Sequence, residues 1–281
     1  MVRFERTGGH YIYIEVQNIE YRVYFEENGG GIPLLCQHTA GSDGRQWRHI
    51  LNDDEITSRY RVVAPDLPYH GKSLPPESIE WWKEEYRLTK SFFIDFLVEF
   101  SRALGLEKPV FIGGCMSGCL APYLALERPD DFRAVIGLET VLYNEEVPLD
   151  FWDHPQISNN YKAAVMWSLM APDTPEKYRR ETMWEFAQSE PSVLKGDFNY
   201  YFREHDLRGK ASQIDTSRVR VYLLTGEYDP VASPEDTRQL AKQIKGAKFV
   251  EMKGLGHLSL CEDHQVLKRY LMPILKEIAE A

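Results

Sequence analysis

Short apolar runs recur along this chain at residues 33–36, 61–64, 109–112, 134–138, 219–224 and 248–252. Each is bounded by glycine, proline or charge, as buried parallel strands are. Between them lie segments of helix length, at 89–104, 118–128, 234–245 and 260–279. Their apolar residues repeat at helical spacing, as in Phe92, Phe93, Phe96, Leu97 and Phe100. Parallel strands need a crossover, and a helix is the usual one. The alternation therefore confines the chain to an α/β fold with a mostly parallel sheet. Ahead of it, Tyr11-Ile12-Tyr13-Ile14-Glu15-Val16 and Tyr21-Arg22-Val23-Tyr24-Phe25 flank Gln17-Asn18 and predict an antiparallel hairpin.

The alternation breaks between about Glu139 and Asp215. That stretch is dense in large aromatics, among them Trp152, Trp167, Trp184, Phe198, Tyr201 and Phe202, and is broken by Pro155, Pro172, Pro175 and Pro191. Its patterns are helical, so we expect a helical cap at 139–214 inserted into a core formed by 1–138 and 215–281. Aromatics at helical spacing also read as an ordinary satellite core. A net charge of −10 argues against nucleic acid and against a basic membrane-surface helix. No apolar run is long enough to cross a membrane. Residues 1–10 carry no apolar signal core, and Cys36, Cys115, Cys119 and Cys261 are too few for a disulfide scaffold. We expect reduced thiols and a cytoplasmic protein.

Val110-Phe111-Ile112 leads straight into Gly113-Gly114-Cys115-Met116-Ser117-Gly118, and a helical pattern follows. A strand, a tight turn and a helix form the context of a nucleophile elbow. Such a turn needs small residues two before and two after the nucleophile. Cys115 has Gly113 and Ser117 there, and its thiol would sit at a helix N-terminus, which favours thiolate. A rival frame places Ser117 at the elbow, with larger flanks; a third reading is an inert buried cysteine. Asp229 follows the run at 219–224, where a carboxylate would face the ligand crevice of an α/β sheet; Glu227 is the alternative. Gly254-Leu255-Gly256-His257 follows the last run and supplies a base.

Together with Asp66-Leu67-Pro68-Tyr69-His70-Gly71-Lys72-Ser73, these motifs resemble the α/β-hydrolase superfamily, in its cap-bearing branch. The resemblance covers nearly the whole chain. It implies an eight-stranded, mostly parallel sheet, with cysteine in place of the usual nucleophilic serine. It also implies an oxyanion hole. Aligned without gaps, Gln37-His38-Thr39 stands where the family carries His-Gly-x, which makes the N–H groups of Thr39 and Met116 the donors. His38 then either packs or meets substrate.

The expected chemistry is acyl transfer through Cys115, His257 and Asp229, on an ester, thioester, lactone or the C–C bond of a diketone. The small-molecule substrate would have an apolar or aromatic portion. An acyltransferase and a non-catalytic small-molecule receptor are the rival classes, and the resemblance admits a homodimer. Cys115 and Cys119 have no zinc spacing, and no phosphate loop or dinucleotide fingerprint is present. No metal and no cofactor are expected.

Overall fold

The computed structural model describes every residue except Met1, Arg3, Pro155, Asn159 and Ala281. Its centre is a sheet of eight strands: β1 (Gly8–Val16), β2 (Ile19–Gly29), β3 (Ile32–Gln37), β4 (Tyr60–Pro65), β5 (Val110–Gly114), β6 (Ala134–Leu138), β7 (Arg220–Gly226) and β8 (Lys248–Met252). The spatial order is β1-β2-β4-β3-β5-β6-β7-β8. β1 and β2 form the expected hairpin, and β2 also runs antiparallel to β4. The remaining pairs are parallel. Gln17 and Asn18 turn the hairpin at φ +51° and +63°, the left-handed conformations that a two-residue primed turn demands.

The continuous apolar runs are explained by burial on both faces. In β5, Phe111 faces one core layer while Val110 and Ile112 face the other. β7 repeats this, with Val221 and Leu223 on the first layer and Tyr222 and Leu224 on the second. α1 (Lys90–Ala103), N-capped by the Thr89 hydroxyl, and α2 (Met116–Glu127) cover the first layer.

Between β6 and β7 the chain is helical, with α3 (Asn160–Ser168), α4 (Glu176–Ala187) and α5 (Val193–Asn199). α5 runs on into a π turn, Tyr200–Glu204. Pro172, Pro175 and Pro191 fall between these helices; Pro155 lies outside the described residues. An isolated bridge between Tyr143 and Asp206 ties the ends of the segment together. α6 (Pro234–Gln243) and α7 (His264–Ala279) complete the molecule.

One boundary differs from expectation, and one connection carries helical turns with no counterpart among the expected helices. The helix expected over 260–279 is interrupted at Asp263, whose carboxylate caps α7 by accepting from the Gln265 and Val266 N–H groups. The β3–β4 connection contains short helical turns at Gly44–Trp47, Arg48–Leu51 and Asp54–Thr57 that show no long apolar period. Among the described residues no helix is long and apolar enough to cross a membrane.

Candidate active site

The parallel strands deliver their following loops to one edge of the sheet, and the candidate residues gather there. Cys115 stands between β5 and α2 at φ +54°, ψ −115°. For a residue with a side chain that conformation is strained, and such strain persists only where its surroundings enforce it. The turn is tight: a Cβ on Gly113 would lie 2.6 Å from Ser117 Oγ. Ser117 is fully buried, and its hydroxyl is held by the carbonyl oxygens of Gln37 and Gly114, both at 3.0 Å. It is therefore Cys115, not Ser117, that occupies the elbow. Of the remaining cysteines, burial pushes the thiols of Cys36, Cys119 and Cys261 up.

Asp229 and His257 meet as the strand ends predict. His257 Nδ1 lies 2.9 Å from both carboxylate oxygens of Asp229. The N–H groups of Val231 and Ala232 donate to Asp229 Oδ1 at 2.8 Å, which fixes the carboxylate. With Nδ1 engaged, Nε2 is the ring nitrogen left for the Cys115 thiol. Burial alone would lower the His257 pKa. The charges of Asp229 and Cys115 and their hydrogen bonds outweigh it and hold the imidazole well above its ordinary value. Glu227, the alternative acid, pairs instead with Lys253 at the surface.

The oxyanion loop requires a correction. Thr39 has no N–H to offer, because it donates to Gln46 Oε1 at 2.8 Å while Gln46 Nε2 donates back to Thr39 Oγ1 at 3.0 Å. The next residue, Ala40, lines the cavity in front of Cys115, and its N–H takes no partner among the described residues. The loop is thus in register one residue later than the gapless alignment assumes. Met116 is the first residue of α2, where N–H groups have no intrahelical acceptor.

His38 is likewise not a substrate contact. Its ring is fully buried and both nitrogens are engaged, Nδ1 with the Thr39 carbonyl at 2.8 Å and Nε2 with the Leu67 N–H at 3.1 Å. Burial, with His70 alongside, lowers its pKa to about 4, so the ring is neutral and braces the loop after β3 against the loop after β4.

One carboxylic acid escaped the sequence reading. Glu139 follows β6 at φ +52°, fully buried. Its Oε2 accepts from the Cys115 N–H at 3.3 Å, and its Oε1 meets the Ser259 hydroxyl, two residues beyond His257. Burial above all, and then the negative charges of Asp229 and Cys115, push its pKa well above the carboxylate range. The signal was present: a lone acid directly beyond an apolar run is the rule that selects Asp229.

Cys115 and His257 open on a cavity of about 160 Å³. Its walls include Trp152, Met166, Leu169, Leu194, Phe198 and Phe202, of which Met166, Leu194 and Phe198 are buried and the rest only partly so. No Asp, Glu, Lys or Arg lines it. A larger open cleft of about 410 Å³, with Asp43, Arg45, Asp66 and Lys72 on its walls, shares no lining residue with this site. Among the described residues no group of three or more His, Cys, Asp or Glu side chains is arranged to hold a metal ion.

The family model described as alpha/beta hydrolase fold matches residues 32–263. A rat protein named bifunctional epoxide hydrolase 2 is 31% identical, over 91% of this chain and 53% of that protein. The dihydrolipoyllysine-residue acetyltransferase component of an acetoin cleaving system, from Cupriavidus necator, is 29% identical over 51% of this chain and 35% of its own length. The chain thus spans about half of the first relative and about a third of the second. Among solved structures, a thermophilic esterase from Thermogutta terrifontis superposes with a TM-score of 0.83 at 19% identity, covering 96% of this chain and 99% of that one.

Proposed function

The chain belongs to the alpha/beta hydrolase fold family, and on that premise we propose that it hydrolyses small, neutral carboxylic esters, lactones among them, through a thiol nucleophile. The observation that carries the reading is Cys115, strained at the strand–helix turn and facing an apolar cavity beside an imidazole whose other nitrogen is held by Asp229. Cys115 Sγ attacks the acyl carbon as His257 takes the thiol proton. The N–H groups of Met116 and Ala40 receive the developing oxyanion. His257 gives its proton to the departing alcohol and then takes one from water, whose oxygen replaces Sγ on the acyl carbon. The proton returns to the thiol and the acid leaves. Residues 139–214 act as a cap that covers the apolar substrate portion and limits contact of the site with bulk solvent.

Thiol chemistry also selects among the activities of the relatives. A thiolate that opens an epoxide becomes a thioether, which has no acyl carbon for water to attack. The enzyme would be alkylated once and would stop. An acyl thioester, by contrast, is readily hydrolysed, so an acyl substrate is the one this nucleophile can turn over.

Intact-protein mass spectrometry after brief exposure to p-nitrophenyl butyrate tests the proposal. We expect an adduct of one butyryl group, or turnover, in the wild type and in Ser117→Ala, and neither in Cys115→Ala. Acylation that survives Cys115→Ala overturns it.

A further inference from the structure

We propose that Tyr201 is a further catalytic residue, whose phenol donates a hydrogen bond to an oxygen of the ester group bound at Cys115. The inference rests on the ester reading above and adds a donor that the nucleophile, base and backbone N–H groups do not supply.

Tyr201 is 1% exposed, and its hydroxyl finds no hydrogen-bonding partner among the described residues. A buried polar group without a partner needs an explanation in a native structure. Tyr201 lines the same cavity as Cys115 and His257. Three neighbouring polar side chains are committed: Ser117 to backbone carbonyls, Thr39 to Gln46, and Asp229 to His257 and two N–H groups. The Tyr201 phenol is left over beside the Ala40 and Met116 N–H groups, and it is a neutral donor lining an apolar space.

Its placement is built rather than incidental. Tyr201 lies in the π turn that ends α5, where the His205 N–H reaches back to the Tyr200 carbonyl at 3.0 Å. Turns of this type recur at functional sites because they re-aim a side chain within a helix. Asn144 Nδ2 holds the Tyr201 carbonyl at 2.9 Å, and Phe202 packs against the ring with centroids 4.8 Å apart. Burial, followed by the charge of the Cys115 thiol, pushes the phenol pKa well above its ordinary value, so it remains a donor. Besides the Cys115 thiol, whose proximity contributes to that raised pKa, an ester bound at the cavity brings two oxygens to receive the hydrogen bond.

Tyr201→Phe removes the hydroxyl and keeps the ring, so the fold is preserved. Its effect is read in paired rates on Cys115. One is acylation by ethyl butyrate and by p-nitrophenyl butyrate. The other is methylation by iodomethane, which has no oxygen to accept a hydrogen bond. We expect acylation to fall roughly 10- to 100-fold, with methylation unchanged within about twofold. A fall with both esters assigns the bond to the carbonyl oxygen. A fall with the ethyl ester alone assigns it to the leaving oxygen, because nitrophenolate departs without help. Equal losses in acylation and methylation would mean that the phenol acts on the thiol, and would overturn the proposal. Unchanged acylation would overturn it too while leaving the ester reading intact. A wild type that accepts no acyl group from either ester would remove both.

Discussion

Glu139 is held where a carboxylate is costly: fully buried, behind the backbone of Cys115, near the charge of Asp229. Burial raises its pKa and so favours the protonated acid, with the Ser259 hydroxyl and the Cys115 N–H as its partners. The energetic sign follows. Between the ordinary glutamate pKa and the raised folded value, the folded state binds a proton that the unfolded state has lost, so stability falls as pH rises through that window. Glu139→Gln keeps the shape and both hydrogen bonds but takes up no proton. We expect urea unfolding to show the variant gaining on the wild type as pH rises above the ordinary glutamate pKa of about 4.3. A difference that stays constant with pH would show that Glu139 is ionised in the native state. The residue was recognisable from its place beyond Leu138. The Thr39 assignment failed for a different reason: whether a loop N–H is free depends on Gln46, seven residues away and placed by a helical turn with no period in the sequence.

At the scale of elements, α5 is tied to the loops that follow β3 and β4. Asp197 on α5 accepts from the Gly41 N–H at 2.7 Å, engages His70 Nε2 at 2.9 Å and accepts from the Tyr86 hydroxyl at 3.0 Å. Gly41 stands at φ +65°, and a Cβ there would lie 2.9 Å from Leu194 of the same helix, so glycine lets α5 close on the loop. One helix thereby fixes the loop that carries Ala40 and, one turn on, delivers Tyr201. Burial would lower the His70 pKa, but the charge and hydrogen bond of Asp197 raise it. The stability this pair contributes is present in full below about 6.5, the ordinary histidine pKa, and is lost as pH rises through the raised folded value. Asp197→Asn is therefore expected to cost about 3 kcal/mol below pH 6, because a buried charged imidazole loses its counter-charge. The cost should shrink toward alkaline pH, as followed by urea denaturation. It should also lower kcat/KM for an ester roughly 10-fold by loosening the Ala40 N–H, while methylation of Cys115 by iodomethane stays unchanged. A loss in both rates would place the defect in the thiol–imidazole pair instead. None of this coupling was readable in the chain. Strands announce themselves because burial on both faces demands unbroken apolar runs, and the elbow because crowded backbones demand small residues. A contact across 156 positions, such as Asp197 to Gly41, leaves no local period, and helical spacing alone does not say which aromatic of residues 139–214 turns toward the sheet.

The molecule as a whole sets its polarity against its site. The chain carries a net charge of −10, while the cavity at Cys115 is walled by apolar side chains with no Asp, Glu, Lys or Arg among them. Both features disfavour an anionic acyl group, by mechanisms that differ in range. The long-range repulsion is screened within about 10 Å at 0.1 M salt. The desolvation of a carboxylate entering the cavity is local and untouched by salt, and it costs at least about 3 kcal/mol when no cation or set of donors receives it. Comparing p-nitrophenyl butyrate with the p-nitrophenyl half-ester of succinic acid separates the two, since the acyl chains are alike in length and differ in charge. We expect kcat/KM for the succinate half-ester to be lower by roughly a hundredfold or more. Raising the salt from 0.05 to 0.5 M should recover only a few-fold of that. If high salt abolished the discrimination, the acyl chain would be meeting the surface field rather than the cavity wall. If the two esters reacted alike at low salt, the acyl group would lie in solvent, and the space between α5 and Cys115 would hold the alcohol portion instead.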